Sequence, residues 1–205
     1  VDSGSSTNTG AVVLIYTSNE ATSNFETGDI TVTECVHSDF TTASTTVYGS
    51  TCTEATNAVT PTVLVAADTF TDALDNDNSV SNTYTWTYDT ADPTMTITSN
   101  TVASGGSTTT AAVVLIYTSN EATANFATGD ITDTGCTDDS FTTTSSTVYG
   151  STCTVAADGA ASIVVAADAF TDTAGNGNTV SNTYSWTQDD TGPTMTITSN
   201  TVDSG

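Results

Sequence analysis

The chain has 205 residues with no Lys, no Arg and one His against 24 Asp plus Glu, a formal net charge of −24 at pH 7. Such a field repels nucleic acid and anionic membrane surfaces, both of which are gripped by basic side chains, so neither is an expected partner. No apolar run approaches the roughly 20 residues that span a bilayer as a helix, and Val1 opens on no leader pattern, so membrane insertion is not expected and the sequence reads as a mature or excised segment.

Hydrophobic residues make up 36% of the chain and fall in ordered patterns, which predicts a folded protein despite the charge. Thr is the dominant residue, a bias that goes with β structure. In chain order, Val12, Val13, Leu14, Ile15 and Tyr16 form a short β-branched run, and Val63, Leu64, Val65 and Ala66 form another; both are too short for ordinary helices and read as central strands. Thr83 to Tyr88 alternates Thr with Tyr84, Trp86 and Tyr88, and Thr94 to Thr98 alternates Thr with Met95 and Ile97, the period-two pattern of a strand with one packed face. Strands are predicted near 11–18, 29–35, 39–42, 45–53, 61–67 and 80–88, with 94–102 leading onward, and helix is predicted to be scarce. The segments 75–78 and 175–178, rich in Asn, Asp and Gly, suit tight hairpin turns.

The strand pattern repeats. Residues 12–22 return unchanged at 113–123, an offset of 101, and residues 93–102 return at 193–202, an offset of 100. Units of about 100 residues can each bury a core. Seven short strands per unit predict an all-β chain of two tandem immunoglobulin-like antiparallel sandwiches. The expected boundaries are 1–92 for the first repeat, 93–192 for the second, and 193–205 as the first strand of a further repeat or a donor strand.

Cys35 and Cys52 are 17 residues apart, as are Cys136 and Cys153, so one disulfide per unit is expected; close Cys-x-x-Cys pairs of the kind zinc sites use are missing. The expected compartment is oxidising, hence extracellular or cell-surface.

The residues Tyr16 to Glu20, Phe25 to Ile30, Ala66 to Asp72, and Trp86 to Asp89 with Pro93 give a pattern that resembles the bacterial Ig-like repeats. The resemblance covers nearly the whole chain and implies extended arrays on cell surfaces, often as adhesin stalks. Against that pattern, the paired cysteines and the lack of Lys and Arg are departures.

The first repeat lacks a copy of the strand made by Thr194, Met195, Thr196, Ile197, Thr198, Ser199, Asn200 and Thr201, while a spare copy follows the second. A sandwich short of one strand has an exposed edge. Either a preceding segment of a longer covalent array supplies it, or separate subunits exchange it by strand addition; both give head-to-tail order between copies of the chain.

Catalysis is not expected: the single His37 aligns with Asp138, and no carboxylate pair stands out from a solvated acidic surface. No cofactor is required by the sequence. Calcium is the candidate cation, because hard ions take oxygen ligands. Asp89, Asp92, Asp189 and Asp190 lie at the unit junctions, with Glu20 and Glu121 as additional ligands; the resemblance to adhesin arrays implies that a cation there stiffens the joint. Asp72, Asp75 and Asp77 form a weaker set, since Gly175 and Gly177 break it in the second repeat. Trp86 and Trp186 read as core residues in preference to a sugar platform. There is no N-glycosylation sequon, while the Ser and Thr density leaves the outer faces open to O-linked glycan. The expected role is a structural repeat of an extracellular fibre or surface stalk, with an adhesin module that binds glycan or protein as the alternative.

Overall fold

The computed structural model describes residues 1–201; the last four residues of the expected 193–205 segment lie outside the described residues. Two compact units are present. The first comprises Val1–Thr94 together with two later loops, Asn120–Phe126 and Ala167–Thr179; the second comprises Met95–Ser119, Ala127–Ala166 and the described residues from Val180 onward.

In the first unit the strands are β1 (Ser6–Thr7), β2 (Ala11–Thr17), β3 (Ile30–Thr33), β4 (Val36–Thr42), β5 (Val47–Thr53), β6 (Thr62–Val65), β7 (Tyr84–Thr85) and β8 (Thr87–Tyr88). In the second they are β9 (Met95–Ser99), β10 (Gly106–Thr108), β11 (Ala112–Ser119), β12 (Ile131–Thr134), β13 (Thr137–Ser145), β14 (Val148–Thr154), β15 (Gly159–Val165) and β16 (Tyr184–Gln188). Helix among the described residues is confined to two 3₁₀ turns, Thr27–Asp29 and Thr128–Asp130. Each turn is fixed by its aspartate: Asp29 accepts from the Glu26 N–H and Asp130 from the Ala127 N–H, both at 2.8 Å. The Thr-Gly-Asp-Ile motif thus folds as a capped turn that launches β3 or β12.

The second unit has two four-stranded sheets, ordered β13-β14-β11-β9 and β10-β16-β15-β12. All pairings are antiparallel except β10 with β16. This is the immunoglobulin-like plan, with β9 as the outer strand of one sheet and the short parallel β10 on the edge of the other. The first unit repeats it with one strand fewer: its sheets are β4-β5-β2 and β3-β6-β7, with β1 and β8 as a separate parallel pair. Nothing in the described residues pairs with the outer edge of β2.

Alternation puts every second side chain into the core. Val12, Leu14 and Cys52 from one sheet of the first unit meet Ile30, Val63, Val65 and Trp86 from the other in a single buried cluster. Burying each aliphatic side chain there contributes roughly 1.5–3 kcal/mol. Trp86 and Trp186 are both buried, which places them in the cores rather than on a sugar-binding surface. The Trp86 indole N–H donates to the carboxylate of Glu54, whose other oxygen is buried without a partner. Val155 holds the equivalent position in the second repeat, and the Trp186 N–H is buried unpaired.

Both disulfides form as the spacing predicts, Cys35–Cys52 and Cys136–Cys153, with Cα atoms 5.6 and 5.7 Å apart. Each joins the crossover from one sheet to the other onto a central strand, β5 or β14. The predicted hairpins are also present. Asp72 N–H donates to Asn76 O, and Asp75 with φ 64° or Gly175 with φ 98° takes the left-handed position that lets the chain reverse. The predicted strand 80–88 is shorter than expected: Trp86 breaks it into β7 and β8, so that the indole can enter the core while β8 pairs with β1 instead of β6.

Candidate functional site

The outer edge of β2 opens onto a cleft of about 810 Å³. Its walls come from β2, from β6 and from the segment 79–82, with Tyr16, Phe25 and Tyr84 among the apolar groups that reach it. In the second unit the matching space is filled by β9. Its Met95 and Ile97 are 3% and 1% exposed, and it pairs antiparallel with β11 in the register Tyr117↔Ile97 and Ser119↔Met95. The opposite sheet also holds it: Asn182 accepts from the Ile97 N–H at 2.7 Å and donates to the Ile97 carbonyl at 3.0 Å.

Burial shows what the missing strand leaves open. Tyr117 and Ser119 are buried under β9, whereas the matching Tyr16 and Ser18 are only partly buried. The predicted assembly strand, residues 194–201, forms no strand, and its Met195 and Ile197 are 88% and 89% exposed. The same sequence is therefore core in one place and solvent-facing in the other. A bare edge beside an apolar cleft is suited to main-chain pairing with an extended segment, the pairing giving affinity and the alternate side chains giving specificity.

A second feature lies in the first compact unit. The carboxylates of Asp89, Glu121 and Asp172 come together, with one oxygen of each within 4.8 Å of the others. Asp172 is buried and its orientation is set by its own loop: it accepts from the N–H groups of Ala174, Gly175 and Asn176 at 2.7–2.9 Å and from the Asn176 amide at 2.8 Å. The same Asn176 amide donates to the Asp89 carbonyl at 2.9 Å. Burial, with the negative charges of Asp172 and Asp89 next in importance, pushes the Glu121 carboxyl above its ordinary range. Three carboxylates held this way supply the hard oxygen donors a divalent cation takes.

Of the predicted metal residues, Asp89 and Glu121 converge, and Asp92 is close enough for its charge to raise Glu121 further. Asp189 and Asp190 lie in the second unit, where the Asp190 N–H donates to Asp158 at 2.9 Å and Asp189 accepts from the Thr191 N–H at 3.2 Å. Glu20 sits on the wall of the cleft. Asp172 was set aside in sequence because Gly175 and Gly177 break the local ligand set; the third carboxylate comes from long-range folding, and the local set is not what gathers it. Its only sequence signal is the Thr-Asp-x-x-x-Asn loop shared with Thr71 to Asn76. Asn82 and Asn182 carried no signal of their own.

The described residues contain no helix long and apolar enough to cross a membrane. No curated protein sequence matches the chain. Among solved structures, the chain is similar to FdeC, described as a broadly conserved Escherichia coli adhesin, with 12% identity, a TM-score of 0.47, and coverage of 91% of this chain and 60% of that one. It is also similar to Yersinia pseudotuberculosis InvD, with 16% identity, a TM-score of 0.42, and coverage of 98% and 62%. The chain thus spans about three fifths of the length of either structure. Residues 89–187 match the family described as bacterial Ig-like domain, a span that runs from the Asp89 junction through β16 and so takes in the complete second sandwich with its β9 edge. The chain carries a bacterial Ig-like domain over these residues.

Proposed function

We propose that this chain is a structural repeat unit of an extracellular surface stalk or fibre, joined head to tail through its outer sheet strands. The observation that carries the reading is the position of β9. It follows β8 after only residues 89–94, and it is also the edge strand of the next sandwich, so one repeat ends where the core of the following one begins. A chain built this way extends by adding units along one direction. The two disulfides support an oxidising compartment, and the acidic surface without Lys or Arg offers no cleavage site to trypsin-like proteases and repels its neighbours.

Calcium at Asp89, Glu121 and Asp172 belongs to the same reading, as an ion that neutralises three gathered negative charges. O-linked glycan on the Thr-rich outer faces is a further part of it; an intact mass equal to the bare polypeptide would remove it. The test of the main proposal is immunogold labelling of intact cells with antibody to this chain. Label spaced along thin surface projections is the expected result. Label confined to the projection tip, together with saturable binding of the purified chain to a glycan or protein ligand, would replace the stalk with the adhesin module.

A further inference from the structure

We infer that the open cleft of the first unit is a strand-acceptor site, and that its occupant is the 194–201 segment of a second copy of this chain. The inference rests on the stalk reading above and names its joint. Each copy carries one vacant edge and one unpaired strand. The strand cannot serve its own second unit, because β9 already fills that edge.

The register follows from the second unit. Residues 93–101 and 193–201 are identical in sequence, and β2 matches β11 residue for residue from Ala11 to Thr17. Tyr117↔Ile97 and Leu115↔Ser99 therefore become Tyr16 opposite the second copy's Ile197 and Leu14 opposite its Ser199. Met195 and Ile197 then enter the cleft, and Thr196 and Thr198 face outward. Ser99 donates to the Val114 carbonyl at 2.6 Å and Thr101 accepts from the Val114 N–H at 3.2 Å, so Ser199 and Thr201 would bond Val13 in the same way.

The far wall of the cleft is already set for this strand. Asn82 matches Asn182, the residue that holds both backbone groups of Ile97. Its backbone is pinned identically: Ser81 donates to the Asn82 carbonyl at 2.8 Å, and Ser181 to the Asn182 carbonyl at 2.9 Å. The stretch after the strand is also in place. The Tyr84 hydroxyl donates to the Val1 carbonyl as Tyr184 does to that of Val102, and the Gly4 N–H donates to Thr85 O as Gly105 does to Ser185 O. Only the strand itself is missing. Because acceptor and donor are different surfaces, the contact is heterologous and propagates as an open chain of copies.

The experiment is sedimentation equilibrium of the 205-residue chain across a wide concentration range. It is run alone, as Ile197→Asp, and with a peptide of residues 193–201. The wild-type chain is expected to associate into a ladder of 20.8 kDa steps. Ile197→Asp alters a side chain that is 89% exposed in the isolated chain, so it should fold normally and stay at one step. Excess peptide should cap the cleft and return the wild type to one step. The same peptide with Asp in place of Ile should bind at least about 50-fold more weakly. A wild-type chain that stays monomeric and ignores the peptide would overturn the proposal. So would association that survives Ile197→Asp, which would place the contact elsewhere. Peptide binding by a chain that stays monomeric would also overturn it, assigning the cleft to a strand joined covalently ahead of Val1. None of these results bears on the surface labelling that tests the stalk reading.

Discussion

Two isoleucines in identical sequence contexts should respond oppositely to the same substitution. Ile97 is 1% exposed on β9 and is held on both sides, by the β11 ladder and by Asn182; Ile197 is 89% exposed. Replacing a fully buried Ile by Ala removes its transfer free energy and leaves a cavity, a loss of about 2–5 kcal/mol. In a unit of about 100 residues this lowers the melting temperature by about 10 °C or more. Ile197→Ala should change stability by less than about 0.5 kcal/mol at protein concentrations too low for association. Urea unfolding followed by circular dichroism and Trp fluorescence measures both. Equal losses at the two positions, or a loss below about 1 kcal/mol at Ile97, would refute the reasoning that β9 completes the second core.

Reducing the disulfides should destabilise each unit by about 3 kcal/mol, since each closes a loop with a sequence separation of 17; denaturant midpoints with and without dithiothreitol read this directly. Glu121→Gln should raise the melting temperature in calcium-free buffer. Glu121's pKa is raised in the folded state, so folding loses stability as pH climbs above the ordinary value of 4.5 and the carboxyl must ionise; calcium should stabilise the wild type and have less effect on the variant. His37 titrates the opposite way. Burial holds its pKa below the ordinary 6.5, and its Nε2 is buried without a partner, so the unfolded chain takes up the proton first and stability falls as pH drops below about 6.5. His37→Asn should flatten that part of the pH–stability curve in thermal melts.

Local pattern made most of the strands legible. The alternation in β9 and β16, the β-branched runs of β2 and β6 and the two Cys spacings each depend on neighbours in sequence, and each was read correctly. The break at Trp86 was not legible, because it arises when β8 leaves one sheet to pair with β1, a two-residue strand too short to leave a periodic trace. The carboxylate cluster was half legible. Asp89 and Glu121 stood out by their place near the junction, whereas Asp172 arrives from a loop 83 residues beyond Asp89, and only the fold brings that loop close. Asn82 and Asn182 show the same limit: an exposed Asn after Ser reads as a turn residue until a strand is laid against it.

Cryo-electron microscopy of the native assembly, at a resolution that traces individual strands, tests the account most directly. It predicts a polar row of sandwiches in which every repeat has a complete four-stranded outer sheet, with a Thr-Met-Thr-Ile-Thr strand on the outer edge of β2 and Ile opposite Tyr16. Isolated particles whose first unit keeps a bare β2 edge, or rows joined through any other surface, would contradict it.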